Sequence, residues 1–509
     1  MSKPVSTHLH ELITTLTGSE KRYFHLFAQR HVLNGQNQYE RIFDEIESQP
    51  AYDETEIVKL LKLNTKLFPD QKRNLYEMVL KSLSAFHSEN TVDARLSARA
   101  LNIQILYQKG LFKQCHTILK KLITECEQYE KFHLLFELLQ FERRLIFSDL
   151  IIKKAEARLK ENYQETEFAL GILKKMAKLT ELSSEIYLTM RQEDFVRSEK
   201  LKKKTEDLYN QLLSQGVDRN DPFLLQIEYY KALTFYSYTI GQLKDCIKYS
   251  YFQVELLESH NWYFEENPRA YLIFYYNLCL SLVENNAFKE LKKIQPRLTD
   301  GRFQKGNFKS LSYWLNFEIS LVYFLRSGEI QKGFRFIEEE KNRFNQFEKQ
   351  IHPTYRYQLC FNAASVCFIY GKYRESLYWL NKILHSADAE LENKYYFDFA
   401  TILNMLVHVD LLDFDYLEYV IQHVRRKLRK KEPYQELENM IFRFVVKVVK
   451  EMKVEQPLIK SLKSKLDEWA VEPANRNLLK TFDFVAWCNA RINKKPLEDI
   501  YAIKELNIN

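Results

Sequence analysis

The sequence predicts an all-α fold, a solenoid of helix-turn-helix repeats closed by helical caps. Three observations lead there. Glycine and proline are scarce, 11 each in 509 residues, about 2% apiece against averages of about 7% and 5%. That leaves little room for sandwich turns, glycine-rich nucleotide loops or long disordered linkers. Apolar residues make up 46% of the chain, aromatics 14%, and they recur at helical spacing. Turn signals return in one phase along most of the chain, as expected of units that stack without a closed core.

Residues 353–385 display the unit. Pro353 suits a first helical turn, where its missing N–H has no partner to lose. Leu359, Cys360, Ala363, Ala364, Cys367 and Phe368 follow at helical spacing. Gly371 supplies the permissive backbone of a tight turn. A second helix then carries Tyr373, Ser376, Leu377, Leu380, Ile383 and Leu384 inward, with small Ser376 allowing close approach.

With the turn residue as marker, Gly110, Leu150, Glu193, Gly241, Asn286, Gly328, Gly371 and Phe414 follow one another at intervals of 40 to 48 residues, with a period of about 43. Two positions after each stand Phe112, Ile152, Phe195, Leu243, Phe288, Ile330, Tyr373 and Tyr416. Three further on, Cys115, Ala155, Ser198, Cys246 and Ser376 are small, whereas Leu291 and Tyr419 are not. Pro222, Pro268, Pro353 and Pro433 keep the same phase, and Asp221 and Asn267 are expected N-caps ahead of two of them. Each unit is expected to hold two helices of about 16–20 residues.

Residues 1–90 read as an N-terminal helical cap, 91–457 as the array, and 458–509 as a C-terminal cap and short tail. In the first, helices are expected over His8–Leu16, from a Ser19 cap through Val32 to a stop at Gly35, over Tyr39–Glu47 and Glu54–Lys62, and from an Asp70 cap to Phe86. Two short helices before a longer one also suit a helix-turn-helix with Lys72, Arg73 and Asn74 toward DNA. Linking turns without distinctive spacing favour the cap. In the last segment Leu478–Ile492 is the expected helix, and Lys494-Lys-Pro496 marks a break.

The unit's turn glycine, the aromatic two residues later, the small residue three beyond, and Ala363 and Ala364 in the first helix resemble the tetratricopeptide repeat, although that family's unit of about 34 residues is shorter. The resemblance implies a right-handed superhelix whose first helices line a concave groove for a protein or peptide. Positions resembling groove residues are Lys231, Phe235, Tyr238, Tyr276, Leu280, Glu318, Val322, Phe361 and Ser365. The stretches Leu16-Thr-Gly-Ser-Glu-Lys-Arg-Tyr-Phe-His-Leu-Phe27 and Asn74-Leu-Tyr-Glu-Met-Val-Leu-Lys-Ser-Leu83 resemble an uncharacterised group of bacterial repeat proteins. That likeness implies no function, only a cap ahead of a repeat array.

No linear motif carries chemistry. Phosphate-binding and dinucleotide glycine loops, a zinc His-Glu-x-x-His and a nucleophile elbow are all missing from the sequence. His8 with His10, and Cys115 with His116, lack the further ligands a metal needs. No enzyme, metal or cofactor is expected. Seven cysteines without a C-x-x-C pair read as reduced, buried thiols. With no signal-peptide pattern and no long apolar run, the expected location is the cytoplasm, without membrane insertion.

Net charge is +7, too mild to imply nucleic acid by itself. Two basic clusters stand out. Lys200, Lys202, Lys203 and Lys204 share one helix, and Arg425, Arg426, Arg429 and Lys430 share one helical face that suits phosphates. The same cations also complement a helix C-terminus. The function expected is therefore a non-enzymatic protein- or peptide-binding scaffold. The alternatives are a nucleic-acid-associated regulator using the N-terminal helices or basic clusters, and a peptide sensor whose superhelix changes pitch.

Overall fold

A computed structural model describes residues 6–29, 38–89, 91–148, 155–192, 199–304, 308–386, 389, 393–428, 436–472, 475 and 478–506; helix positions 191–192, 199–200, 423–428 and 503–506 are described as backbone alone. Every regular element among the described residues is helical. The chain divides into two compact units, Met1–Lys174 and Lys175–Asn509.

In the first unit, α1 (His8–Thr15), α2 (Gly18–Gln29), α3 (Gln38–Ser48), α4 (Glu54–Leu60) and α5 (Phe68–Phe86) enclose a core that includes Ile13, Phe24, Phe43, Phe68 and Val79. Two expected caps move. Thr17 rather than Ser19 starts α2: its N–H donates to Glu20 Oε2 at 2.7 Å while the Glu20 N–H donates to Thr17 Oγ1 at 3.3 Å. This reciprocal capping box satisfies two orphan donors at once. Leu67, not Asp70, is the N-cap of α5. Val32 and Gly35 lie outside the described residues.

Next come α6 (Val92–Gln108), α7 (Phe112–Gln128), α8 (Phe132–Ser148) and α9 (Ala155–Gln192). Arg99 ties α6 to α7 through Glu125 at 2.6 Å. Arg158 on α9 forks onto Glu142 of α8 at 3.0 and 2.8 Å and onto Glu165 at 2.9 and 3.0 Å. Helix α9 is 38 residues long, where two helices of about half that length were expected. It contains no proline, and at Gly171 an added Cβ would meet nothing. Nothing therefore interrupts its i to i−4 ladder.

The second unit begins with the remainder of α9 and continues through α10 (Glu199–Leu213), α11 (Phe223–Thr239), α12 (Leu243–Ser259), α13 (Asn261–Glu266), α14 (Pro268–Glu284), α15 (Phe288–Ile294), α16 (Phe308–Ser327), α17 (Ile330–Phe347), α18 (Pro353–Ile369) and α19 (Tyr373–Leu384). It ends with α20 (Lys394–Leu411), α21 (Phe414–Leu428), α22 (Glu436–Glu451), α23 (Gln456–Trp469), α24 (Phe484–Asn493) and α25 (Leu497–Leu506). One apolar core runs from Val254 to Tyr501. Helix α15 has only seven residues before a 3-10 turn at Gln295–Thr299, because Pro296 cannot donate to the ladder.

The turns explain how these helices pair. Gly110, Gly241 and Gly371 have φ of +70°, +77° and +74°. At each, the next N–H reaches back five residues, Leu111 to Leu106 O, Gln242 to Ser237 O and Lys372 to Cys367 O, at 3.0, 2.8 and 2.8 Å. This double closure satisfies carbonyls the helix end leaves open. Glu130, Asn286, Leu412 and Met452 adopt the same left-handed conformation and closure. Leu412, not Phe414, is thus the turn residue of its hairpin; Phe414 is the aromatic that follows it, and the small position falls on Leu417 rather than Tyr419. At that position Cys115, Cys246 and Ser376 each donate to a carbonyl twelve residues earlier, of Ile103, Thr234 and Ala364, at 3.6, 3.2 and 2.9 Å. Gly333 fills the place after Gly328, where a Cβ would sit 2.8 Å from Phe324 Cβ. Leu150, Ile152, Glu193, Phe195, Ser198 and Pro433 lie outside the described residues.

The proline-marked starts also need adjustment. Pro222 is itself the N-cap of α11, with ψ 143°. Asp221 instead accepts from the Asp218 N–H at 2.9 Å and pairs with Lys175 at 3.1 Å. Asn267 is the N-cap of α14 but its side chain makes no capping bond.

Candidate functional site

The first helices of the second unit's hairpins carry the nine candidate groove positions. On α11, Glu228, Lys231, Phe235 and Tyr238 are half-buried at steps of three and four, so they form one stripe. Lys231 pairs with Glu228 at 2.6 Å, and Phe235 stands 5.2 Å from the Tyr187 ring. On α14, Ile273, Tyr276, Asn277, Leu280 and Glu284 continue as half-buried positions. The stripe closes on the next two first helices. Glu318 and Val322 on α16, and Phe361 and Ser365 on α18, are buried. Glu318 accepts from Gln358, Phe361 packs against Tyr396 and Phe399 at 5.7 and 6.0 Å, and the Ser365 hydroxyl donates to Phe361 O at 2.9 Å.

Tyr276 is where the stripes converge. Burial pushes its phenol well above the usual range; Glu318, which the hydroxyl hydrogen-bonds, and the neighbouring Tyr396 and Tyr238 push it further. Four first helices, α11, α14, α16 and α20, thus bring polar tips to one place. Trp314 joins them, 6.2 Å from Tyr276 and stacked on Tyr355 at 4.7 Å. Tyr276 stays a neutral hydrogen-bond donor at physiological pH, in a cluster of aromatic faces, an amide and the buried Glu318 carboxylate.

The chain's end returns to this same set of helices. Arg491 pairs with Asp410 at the end of α20, whose side chain is only 3% exposed, and donates to the Tyr373 hydroxyl at 3.0 Å. The Trp487 indole N–H donates to Asp410 at 3.3 Å. Arg326 donates to Lys480 O and to Glu284, each at 2.8 Å. Burial alone would lower the Arg326 pKa, but Glu284, Tyr501 and Tyr238 hold it above its ordinary value. A Cβ at Gly328 would strike the Tyr501 carbonyl. Between this returning segment and the ends of α14, α16 and α18 lies a cleft of about 660 Å³, with Leu325, Arg326, Ser365, Lys480, Phe482 and Tyr501 among its walls.

Sequence reasoning missed Trp314, Arg326, Tyr355, Gln358 and Tyr396; it expected a cap helix at Leu478–Ile492, where α24 spans Phe484–Asn493, but not its meeting with Asp410. One signal was available. Glu284, Arg326 and Asp410 each stand two residues ahead of a turn residue, Asn286, Gly328 and Leu412, as charges in the last turn of a largely apolar helix. The basic clusters fare differently. Lys202, Lys203 and Lys204 are exposed, the last 3.2 Å from Glu185. Arg425 and Arg426 belong to α21, described as backbone alone; Arg429 and Lys430 lie outside the described residues. Lys72 is engaged within the N-terminal bundle, 2.5 Å from Glu54 and over the Tyr52 ring at 5.3 Å. The seven cysteines are free and buried, and among the described residues no helix is long and apolar enough to cross a membrane. Comparison with family models, with curated proteins and with solved structures finds no match for this chain.

Proposed function

We propose that this chain is a non-enzymatic scaffold or adaptor of the cytoplasm that binds a protein or peptide. In this reading the hairpins from α11 to α22 wind as a right-handed superhelix of tetratricopeptide type, and their first helices form the binding face. One observation carries the reading. Glu228, Lys231, Phe235 and Tyr238 on α11, followed by Tyr276 and Leu280 on α14, stand half-open at helical spacing beside the buried Glu318. Aromatic and aliphatic side chains there anchor apolar groups of a partner, while Lys231, Glu228 and the tyrosine hydroxyls fix its orientation through hydrogen bonds.

The test compares the full-length chain with a Lys231→Ala/Tyr238→Ala/Tyr276→Ala variant as bait in native cytosol, at low and high salt, with and without nuclease. A defined protein held by the parent at high salt after nuclease, and lost by a variant with an unchanged far-UV spectrum, supports the reading. Normal capture by the folded variant removes it. Nucleic acid that co-purifies and is lost at high salt replaces it with phosphate recognition, and neutralising Arg425, Arg426, Arg429 and Lys430 then asks whether that cluster sets the salt slope.

A further inference from the structure

We propose that residues 478–506 are a displaceable intramolecular ligand of the first-helix face. The partner this face takes in trans is then an amphipathic helix of the same pattern: two aromatics three residues apart, then an arginine four residues on, as in Phe484, Trp487 and Arg491. This rests on the first-helix face being the binding face.

Three observations lead here. The face that stands half-open on α11 and α14 is met further along by this segment, whose helix α24 packs against α23 and reaches α20 through side chains. Thr481 meets the Tyr395 hydroxyl near its start, Phe484 lies 6.3 Å from Phe399, and Trp487 and Arg491 reach Asp410 near its end. A helix read through side chains at i, i+3 and i+7 is the helix-in-groove mode of recognition, with Trp487 as the buried anchor and Arg491 as the polar one.

The attachment is also the kind that selects register more than it adds stability. A buried ion pair such as Asp410 with Arg491 repays little beyond its own desolvation, while fixing which residue meets which.

The fit is incomplete as well. Nε of Arg326 and Nε of Arg491, one on each side of the junction, are buried with no acceptor among the described residues, and the cleft beside Arg326 is not packed out. Interiors built for permanence are close-packed with their polar groups satisfied. A helix that offered Asp410 the same arginine would remake the same contact, and has to outcompete a tethered segment held at high effective concentration.

Two measurements test this on the full-length chain. Hydrogen exchange of the wild type should show amides of 484–502 opening at least tenfold more readily than those of α18. Equal protection, reached only by global unfolding, overturns the proposal. Next, a fluorescein-labelled synthetic peptide of residues 478–506 is titrated onto full-length Arg491→Ala and onto the wild type, whose own segment competes. Saturable binding at least tenfold tighter to the variant, and lost when the peptide's Phe484, Trp487 and Arg491 are replaced by alanine, is the expected result. Absence of saturable binding to a folded Arg491→Ala chain, or equal binding of the alanine peptide, overturns the proposal. If that variant does not fold, the wild-type exchange decides. Failure here leaves the capture experiment on Lys231, Tyr238 and Tyr276 standing, because that experiment reads the open half of the face.

Discussion

Helices α11 and α18 open their hairpins in a similar way, each with a proline at its start and each ending in a left-handed glycine, yet water sees them differently. On α11 a half-buried position recurs every three or four residues from Glu228 to Tyr238, whereas on α18 every residue from Leu359 to Ile369 is buried. Their compositions do not explain this, since α11 is rich in tyrosine and phenylalanine too. Position does. Phe368 near the end of α18 lies 5.6 Å from Phe482 of the returning segment, and Phe361 is covered by Tyr396 and Phe399 of α20, whereas the α11 stripe stays half-buried, with Phe235 against the Tyr187 ring. Exposure on a hairpin helix is therefore set by what the rest of the chain lays on it.

The largest expected effect breaks that comparison with one residue type. Phe361→Ala removes a ring that is fully buried, and should cost about 3–5 kcal/mol through lost transfer energy and an unfilled cavity. Phe235→Ala, at a half-buried site of α11, gives up only part of the burial of a phenylalanine, about 1 kcal/mol. Urea denaturation of the two variants measures both. Equal costs would mean that the two faces are packed alike.

Arg491→Ala comes next. It leaves the Asp410 carboxylate without its charged partner at a site 3% exposed. The expected loss is about 2–3 kcal/mol, below the about 3–5 of a wholly buried pair because a third of Arg491 meets water. The pH dependence gives the cause. Burial raises the Asp410 pKa, against the pull of Arg491, Trp487 and Tyr373. A carboxyl raised in the folded state penalises folding once it is charged, so the penalty is full above its folded pKa and fades as pH falls through that value toward the unfolded one. Removing Arg491 enlarges the penalty. The Tm deficit of the variant should be greatest near neutrality and shrink on acidification; a deficit independent of pH would point to lost packing rather than stranded charge.

How much of this was legible follows from which signals are local. Gly110, Gly241, Gly328 and Gly371 announce left-handed turns because glycine bears that conformation without strain, and Pro222, Pro268 and Pro353 mark helix starts. The stripe on α11 follows from those turns by counting back. Leu412 and Glu130 give no such announcement: a leucine or glutamate in a left-handed turn looks like any other, and the marker slid two residues to Phe414. Helix α9 was legible in principle, since 155–192 lacks any strong breaker. The return of 478–506 was not, because Arg491 and Asp410 lie 81 positions apart and their meeting depends on the packing of every hairpin between them.

The smallest expected effect sharpens the comparison at the turns that end the first helix of a hairpin in each half. Gly241, after α11, has φ +77°, and Leu412, after α20, has φ +58°; both close with the same backward hydrogen bond. For an L residue this conformation crowds Cβ against the following carbonyl and costs about 1–2 kcal/mol. The Leu412 side chain recovers little of that, being 59% exposed. Leu412→Gly should therefore raise stability by about 0.5–1 kcal/mol, the relief of strain outweighing the extra freedom glycine gives the unfolded chain. Gly241→Ala should lower it by about 1 kcal/mol, with no steric clash involved, since an added Cβ there meets nothing within 4 Å. Thermal unfolding of the two variants reads the pair. Opposite signs would show that the turns share one backbone demand met by different residues. A loss in Leu412→Gly would mean that the leucine, though exposed, holds its hairpin against something the turn geometry alone does not require.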